Sequence, residues 1–201
     1  MAQPRWLTDT KPGHSEWYIE RFRKMAADGD DLAGEARLVD AMVGRHSRIL
    51  DAGCGPGRLS GYLYAVGHDV VGVDVDPKLI AAAEQDYPGP AYRVADLSEL
   101  DLPAQGVHEK FDAIVCAGNV MVFIAPGTEA EVLRRLGAHL KPDGFIATGF
   151  HINRELTLPD FDAAATKAGL IVDQRFDTWD LKRLPDADFA VTILRHTPTA
   201  D

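Results

Sequence analysis

Short runs of apolar residues alternate along the chain with segments whose apolar residues recur at helical spacing. Five of these runs predict strands that are buried on both faces, and they lie within residues 48–57, 69–74, 91–95, 111–116 and 145–150. Strands that alternate with helices are typical of a parallel sheet with helices on both faces. The pattern therefore predicts an α/β protein.

The last part of the chain departs from this alternation. Two further strands are predicted over 170–179 and 188–196, and only a polar connection, 181–187, lies between them. Parallel neighbours need a long crossover, whereas antiparallel neighbours can be joined by a short connection. We therefore expect a mixed sheet of seven strands that is mostly parallel, with the last strand antiparallel.

The segment ahead of the first strand has a different character. Prolines and a glycine predict a loose arm over residues 1–13. Residues 15–27 then predict a helix that Ser15 would cap, and its aromatic face includes Tyr18. Such a face packs on a core or covers a ligand as a lid, and the sequence leaves both interpretations open.

Length and charge narrow the class of protein. The length suits a single domain over 1–201, which we divide into an arm and lid helix over 1–30 and a core over 31–201. The net charge is −10, and the 21 Lys and Arg residues are spread along the chain rather than clustered. A nucleic-acid site needs a basic patch, so we expect no nucleic-acid partner.

The cysteines and the apolar runs bear on location. Cys54 and Cys116 each follow a buried strand, and so few cysteines indicate free thiols in a reducing compartment. Residues 1–13 lack the apolar region of a signal peptide, and no apolar run approaches the roughly 18 residues of a membrane span. We expect a cytoplasmic protein without a membrane partner. The seven histidines show no ligand spacing, so no metal site is predicted.

A glycine-rich turn follows the first strand. Asp51 precedes Gly53, Gly55 and Gly57, and a helical pattern begins directly afterwards. Glycines let the backbone approach a ligand closely, and the N–H groups of the helix point at it. A dinucleotide turn would need a third glycine where Arg58 stands, and the Asp51 carboxylate would repel a diphosphate. The turn therefore favours a ligand with a cation or a pair of hydroxyl groups.

The next strands end in residues that suit a nucleoside. Asp74 can accept hydrogen bonds from two ribose hydroxyls, and Asp96 can accept one from the exocyclic amine of adenine. Val75 and Leu97 would contact the faces of the base. Open α/β sheets bind ligands at the carboxyl ends of their strands. These strand ends, together with Ala117 after the fourth strand, predict one nucleoside site.

The motifs at these strand ends resemble those of the class I S-adenosylmethionine-dependent methyltransferases. The resemblance covers about residues 30–196, and its motifs lie at 49–57, 71–76, 95–97, 111–115 and the turn 140–144, where Asp143 replaces a glycine. It implies a Rossmann-like fold and S-adenosyl-L-methionine as the cofactor. The glycine turn would pass the amino acid moiety, with Cys54 as a small filler, while Asp74 would hold the ribose and Asp96 would reach the adenine.

The site of the methyl acceptor is less clearly marked. The signature D/N-P-P-Y/F, which the family uses on amino groups of bases and glutamine, is absent after the fourth strand, and this argues against those acceptors. Asn119 and His151 follow the fourth and fifth strands and are weak candidates for an acceptor contact or a general base. The alternative for His151, which we favour, is a loop histidine bonded to backbone. We expect Tyr18 to close over the carboxylate of the cofactor.

The whole sequence predicts an S-adenosylmethionine-dependent methyltransferase that acts on an unidentified small molecule by in-line methyl transfer. The acidic charge, the lack of a second predicted domain and the aromatic helix all favour a small acceptor. Two alternatives stay open: aminopropyl or carboxymethyl transfer on the same cofactor fold, and a cofactor-binding protein without catalysis. The acceptor atom and the oligomeric state are left open as well.

Overall fold

The computed structural model describes residues 2–198, so residue 1 and residues 199–201 of the predicted domain lie outside the described part. Seven strands form one sheet in the order β3-β2-β1-β4-β5-β7-β6. The strands are β1 (Arg48–Ala52), β2 (Asp69–Asp74), β3 (Ala91–Val94), β4 (Phe111–Cys116), β5 (Leu140–His151), β6 (Leu170–Phe176) and β7 (Phe189–His196). The first five are parallel, and β7 runs antiparallel between β5 and β6. The predicted mixed sheet is confirmed.

Helices cover both faces of this sheet. They are α1 (Arg5–Thr8), α2 (His14–Ala27), α3 (Gly34–Met42), α4 (Arg58–Ala65), α5 (Pro77–Asp86), α6 (Val120–Phe123), α7 (Glu129–His139) and α8 (Leu158–Lys167). Successive residues of a strand point to opposite faces. Ile49 of β1 is therefore buried in the core formed with α3 and α4, whereas Leu50 is buried in the larger core formed with α7 and α8.

The N-terminal segment is more ordered than the sequence predicts. Residues 1–13 were expected to be loose, but Arg5–Thr8 form one helical turn whose contacts reach the rest of the protein. Gly13, rather than Ser15, precedes the first residue of α2, and the Ser15 hydroxyl donates to the Asp76 carboxylate instead. The Ser15 side chain, which the sequence predicts as a helix cap, therefore bonds to a residue 61 positions away along the chain.

The turn predicted over residues 140–144 is part of β5. Leu140 pairs with Phe111 ahead of a shift in the β4–β5 register, so the ladder starts earlier than the apolar run. The helix after β2 begins as predicted, because Asp76 accepts a hydrogen bond from the Lys78 N–H and a proline follows it. Within residues 2–198, no helix has both the length and the apolarity that a membrane crossing needs.

Candidate functional site

A cavity that is partly open to solvent lies at the carboxyl ends of the first four strands. Residues from the strand ends, from α5, from α6 and from the N-terminal segment line it: Pro4, Trp6, Tyr18, Gly53, Gly55, Asp74, Val75, Leu79, Ala95, Asp96, Leu97, Ala117, Gly118, Val120, Phe123 and Ile124. None of these sixteen residues is a lysine, an arginine or a histidine, so the charged groups on the wall are carboxylates.

Most residues predicted to bind the cofactor line this cavity. They are Tyr18, Gly53, Gly55, Asp74, Val75, Asp96, Leu97 and Ala117. Three others, Asp51, Cys54 and Gly57, lie behind the lining. The Asp51 side chain accepts a hydrogen bond from the Ser60 hydroxyl at 2.7 Å, and Cys54 packs in a small cluster with residues of α5 and β3. These three residues support the glycine turn from behind and do not form its surface in the cavity.

The glycine turn is held against the next strand by backbone hydrogen bonds. The N–H groups of Gly53 and Cys54 both donate to the carbonyl of Val73, at 2.8 and 2.9 Å. Gly53 has a φ of +80°, and a Cβ at this position would come within 2.3 Å of a methyl carbon of Val120. Only glycine combines this backbone conformation with so close an approach. The requirement explains why the turn needs a glycine at this point.

Asp74 is the carboxylate at the centre of the site. Its Oδ2 accepts a hydrogen bond from the Gly55 N–H and its Oδ1 accepts one from the Asp76 N–H, both at 2.9 Å. Each carboxylate oxygen has two lone pairs, so each keeps a place for a ligand hydroxyl. The side chain is 8% exposed, and this burial raises its pKa to about 6. The turn and the carboxylate thus form one unit.

Asp51 adds a second buried carboxylate behind the turn. It is 1% exposed, and burial raises its pKa to about 6 although the Ser60 hydrogen bond and the Arg58 charge oppose that change. The charge of Asp74 raises the pKa of Asp51 further. Two carboxylates in one poorly solvated region favour a positively charged ligand, because a cation stabilises the ionised form of both.

Asp96 follows β3 at the far end of the cavity. Its Oδ1 accepts hydrogen bonds from the N–H and the hydroxyl of Ser98, both at 2.8 Å. These bonds fix the carboxylate at the start of a short 3₁₀ helix, Leu97–Glu99. Among residues 2–198, no hydrogen bond to Oδ2 of Asp96 is formed, and this oxygen is the acceptor that a ligand amine would meet.

The sequence indicates the second wall of the cavity only in part. Pro4 and Trp6 come from the segment predicted to be loose, and Val120, Phe123 and Ile124 come from a short helix, and the residue after it, that the sequence did not predict. The sequence signals for this wall are a tryptophan in an otherwise polar arm and the apolar Phe123 after the fourth strand, which can line an acceptor pocket or simply pack. Trp6 packs against Tyr18 and Phe123 with ring-centroid distances of 5.3 and 5.7 Å.

Tyr18 joins the two walls. Its ring lies 3.6 Å from the position that a Cβ on Gly55 would take, and its other side packs against Trp6 and Phe22. Burial raises the pKa of the Tyr18 hydroxyl above its ordinary value, so the group stays protonated at neutral pH. The aromatic face of α2 therefore contributes both to packing and to the cavity.

The two candidate acceptor residues lie beside the cavity and not in its lining. Asn119 has a φ of +67°, and its side-chain oxygen accepts a hydrogen bond from the His151 N–H at 2.8 Å. The His151 imidazole contacts the Phe189 ring, and its Nδ1 lies 3.7 Å from the Asp188 carboxylate. Asn119, which lies between the lining residues Gly118 and Val120 in sequence, thus ties the ends of β4 and β5 together.

Metal ligation is the remaining possibility for a site of this kind. In the part of the chain that the structure describes, no three His, Cys, Asp or Glu side chains are grouped so that they could hold a metal ion.

Comparisons with known proteins agree with this geometry. The family described as "Methyltransferase domain" matches residues 49–144. The crystal structure of a TehB-like S-adenosylmethionine-dependent methyltransferase from Corynebacterium glutamicum is similar to this one, with a TM-score of 0.86, and the two sequences are 42% identical. That alignment covers 93% of this chain and 100% of the other.

Two curated relatives match over a shorter stretch. Magnesium-protoporphyrin O-methyltransferase from Rhodobacter capsulatus is 32% identical over 59% of this chain and 53% of its own length. Trans-aconitate 2-methyltransferase from Methylobacterium nodulans is 27% identical over 70% and 52%. The chain therefore spans about half the length of these curated relatives. The full-length match to the C. glutamicum structure and the shared motifs show that the chain belongs to the class I S-adenosylmethionine-dependent methyltransferases, as predicted.

Proposed function

We propose that this protein transfers the methyl group of S-adenosylmethionine to a small-molecule acceptor. The observation that carries the proposal is the cavity at the strand ends, where the glycine turn, Asp74 and Asp96 line one continuous wall. This wall offers hydrogen-bond acceptors for hydroxyls and an amine, and it offers no positive side chain to a phosphate.

The charge of the site fits the cofactor. S-Adenosylmethionine carries a sulfonium and an ammonium group, and the buried carboxylates Asp51 and Asp74 supply negative charge on the side of the glycine turn. Both carboxyls have a pKa of about 6 without a ligand, so a nearby cation favours their ionised forms. A dinucleotide would instead bring its diphosphate to these groups.

The predicted contacts of individual residues belong to this proposal. Asp74 accepts from the ribose hydroxyls, Asp96 accepts from the adenine amine, and Val75 and Leu97 contact the base. Tyr18 donates to the carboxylate of the cofactor. A second group acts through the backbone of the turn and its surroundings: Asp51, Gly53, Cys54, Gly55, Gly57 and Ala117. When bound, the cofactor supplies an electrophilic methyl group.

The chain's own contribution to the reaction is to hold the acceptor in place and to exclude water. Phe123, Ile124 and Trp6 form an apolar wall opposite the carboxylates, and such a wall favours a small acceptor held at near-attack distance. Two of the curated relatives support this size class, because the magnesium-protoporphyrin and trans-aconitate in their names are both small molecules. Asn119, next in sequence to the lining residue Gly118, and His151, which is bonded to it, stay the candidates for a polar contact to the acceptor.

The domain organisation follows from the same cavity. Residues of both predicted parts, 1–30 and 31–201, line it, so we propose that they act as a single domain. The arm is then part of the site and not an appendage.

Calorimetry with S-adenosylmethionine and S-adenosylhomocysteine tests the proposal. We expect both to bind, and S-adenosylmethionine to bind more tightly because it carries the additional sulfonium charge. Binding of NADH in place of either ligand would overturn the assignment.

A screen of small acceptors for release of S-adenosylhomocysteine then tests the reaction. Release of methylthioadenosine would show aminopropyl transfer instead, and binding without release from any acceptor would favour a non-catalytic protein.

A further inference from the structure

Asp76 receives more hydrogen bonds than a helix cap needs. Its Oδ1 accepts from the Lys78 N–H at 2.9 Å, which caps α5. Its Oδ2 accepts from the Trp6 indole N–H at 3.0 Å and also from the Ser15 hydroxyl. The two oxygens therefore have separate tasks, one within α5 and one toward the N-terminal segment. Burial raises the pKa of Asp76, but the hydrogen bonds from Ser15, Trp6 and the backbone outweigh burial and lower it, so the group is ionised at neutral pH.

The other side of the N-terminal segment is tied to α6. The guanidinium of Arg5 donates to the Val122 carbonyl at 3.2 Å, and the Arg5 N–H makes a longer hydrogen bond to the Ile124 carbonyl at 3.5 Å. We call residues 4–8 the strap. It runs from Asp76 to the end of α6, and Pro4 and Trp6 of the strap line the cavity between these anchors.

The strap and α2 form one packed unit. The Trp6 ring lies 4.9 Å from the His14 ring and 5.3 Å from the Tyr18 ring, measured between centroids. A second tie between α2 and α5, the Lys78–Glu16 ion pair, is exposed on both sides, and exposed pairs contribute little. The hydrogen bonds to Oδ2 of Asp76, which are partly buried, are therefore the stronger fastening on this side.

Through its backbone, Asp76 also contacts Asp74, the residue whose carboxylate we propose binds the ribose. Its N–H donates to Oδ1 of Asp74 at 2.9 Å. One residue thus contacts the proposed cofactor site through its main chain and holds the cover of that site through its side chain.

We propose that Asp76 is a positioning residue that latches the strap over the cavity and so sets the rate of cofactor exchange. The inference rests on the proposed function, because the cofactor is the ligand that would be enclosed. With the latch made, Trp6 closes the wall between α5 and α6. With the latch broken, the strap keeps its anchor on α6 and the ring packing of Trp6, but it is held less firmly and a bound ligand escapes more often.

Asp76→Asn separates the two tasks of this side chain. Asparagine caps a helix as well as aspartate does, because its carbonyl oxygen still accepts from the Lys78 N–H. The remaining amide nitrogen is a donor and cannot accept from the Trp6 N–H, so the bond to the strap itself is lost, whereas the Ser15 hydroxyl can turn and accept from the amide. A purely structural role as a cap would be rescued by asparagine, whereas the latch would not.

The dissociation rate of radiolabelled S-adenosylmethionine, chased with unlabelled ligand, is the first readout. We expect Asp76→Asn and Trp6→Phe to raise this rate about tenfold, since each removes hydrogen bonds to a charged group. Ser15→Ala should have a smaller effect in the same direction. Trp17→Phe is the matched control, because Trp17 lies on α2, is 54% exposed and does not line the cavity.

Hydrogen exchange of the ligand-free protein is the second readout. The amides of Leu7, Thr8 and Asp9 are hydrogen-bonded within the strap, and peptides covering residues 2–12 should exchange faster in Asp76→Asn and Trp6→Phe but not in Trp17→Phe. Wild-type exchange and wild-type dissociation rates in these variants would overturn the latch, even if the cofactor binds. A different outcome separates the two proposals. If the wild-type protein binds no S-adenosylmethionine, but Asp76→Asn and Trp6→Phe still exchange faster than wild type, the proposed function is overturned and Asp76 remains the residue that fastens the strap.

Discussion

The two walls of the cavity are formed by different kinds of residue. The wall at the strand ends carries a glycine turn and the carboxylates Asp74 and Asp96, and each of these is fixed by hydrogen bonds to neighbouring backbone. The opposite wall is apolar and comes from the strap and α6. The first wall can distinguish one ligand from another by hydrogen bonding, whereas the second shapes the space and excludes water.

The walls also differ in how they are held. The strand ends belong to a seven-stranded sheet with fully buried neighbours. The helices α1 and α6 have four residues each, and helices this short are not stable by themselves. They persist because side chains such as Arg5 and Trp6 bind them to other elements. Under the two proposals, recognition of the cofactor would depend on the wall at the strand ends, and its exchange would depend on the wall formed by the strap and α6.

Replacing Asp74 should have the largest effect on cofactor binding. Asp74→Ala removes the acceptors for two ligand hydroxyls, and hydrogen bonds to a charged group contribute about 1.5–3 kcal/mol. We expect S-adenosylmethionine affinity to fall about tenfold to a hundredfold, with Asp74→Asn between this variant and wild type. Calorimetry measures the change, and Asp143→Ala, an exposed aspartate at the start of β5, is the control. An unchanged affinity would remove Asp74 from the site.

Gly53→Ala should be the next most damaging change. The new Cβ would lie 2.3 Å from Val120, where Gly106→Ala at the same φ of +80° would meet nothing within 4 Å. Both variants bear the cost of a left-handed alanine, about 1–2 kcal/mol, but only Gly53→Ala must displace α6 or the turn. We expect its thermal unfolding temperature and its cofactor affinity to fall well below those of Gly106→Ala. Equal behaviour of the two variants would show that contact with Val120 has no role.

The rigid wall could be predicted from the sequence because it depends on local order. Each strand places its last residue at one edge of the sheet, so Asp74 and Asp96 could be located from the apolar runs that precede them. Which residues of the turn face the cavity could not be read in this way. Asp51 and Gly57 belong to the same motif as Gly53 and Gly55, but three-dimensional packing places them behind the lining.

The apolar wall could not be predicted because its contacts are distant in sequence. Trp6 meets Asp76 across 70 residues, and Arg5 meets Val122 across 117. No periodicity records such pairs. Ser15 shows the same limit, since its position fits a helix cap but its hydroxyl donates to Asp76.

The pH dependence of binding sharpens the electrostatic side of the comparison. In the free protein the pKa values of Asp51 and Asp74 are both about 6. A cationic ligand favours the ionised carboxylates, so it lowers these pKa values and its binding releases protons. Affinity should therefore rise as pH increases through 6, and we expect about a tenfold gain between pH 5 and pH 7.

Calorimetry in two buffers of different ionisation enthalpy counts the released protons. Asp74→Asn should flatten the dependence because it removes one of the two groups. An affinity that is the same at both pH values would show that the carboxylates do not respond to the charge of the ligand.

Phe123→Ala tests the apolar wall. The ring contacts Trp6 and lines the cavity, but it offers no hydrogen bond. We expect S-adenosylmethionine affinity to fall by about twofold to tenfold, since aromatic pairs contribute about 0.5–1.5 kcal/mol, while the dissociation rate rises because Trp6 loses a neighbour. A loss as large as that of Asp74→Ala would contradict the division of labour between the walls.

The smallest effect on cofactor binding is expected for His151→Ala. The imidazole does not line the cavity, and the hydrogen bond that places this residue runs from its backbone N–H to Asn119, so the substitution preserves it. Affinity for S-adenosylmethionine should stay within about twofold of wild type.

Once an acceptor is known, the pH profile of kcat separates the two interpretations of His151. If His151 is the general base, His151→Ala should abolish the acidic limb together with most of kcat, whereas a histidine with only a structural role at the end of β5 would leave the profile unchanged. A large loss of cofactor affinity in His151→Ala would show that the imidazole binds the cofactor together with Asp74 and Asp96. It would then contradict the assignment of cofactor recognition to the wall at the strand ends as described.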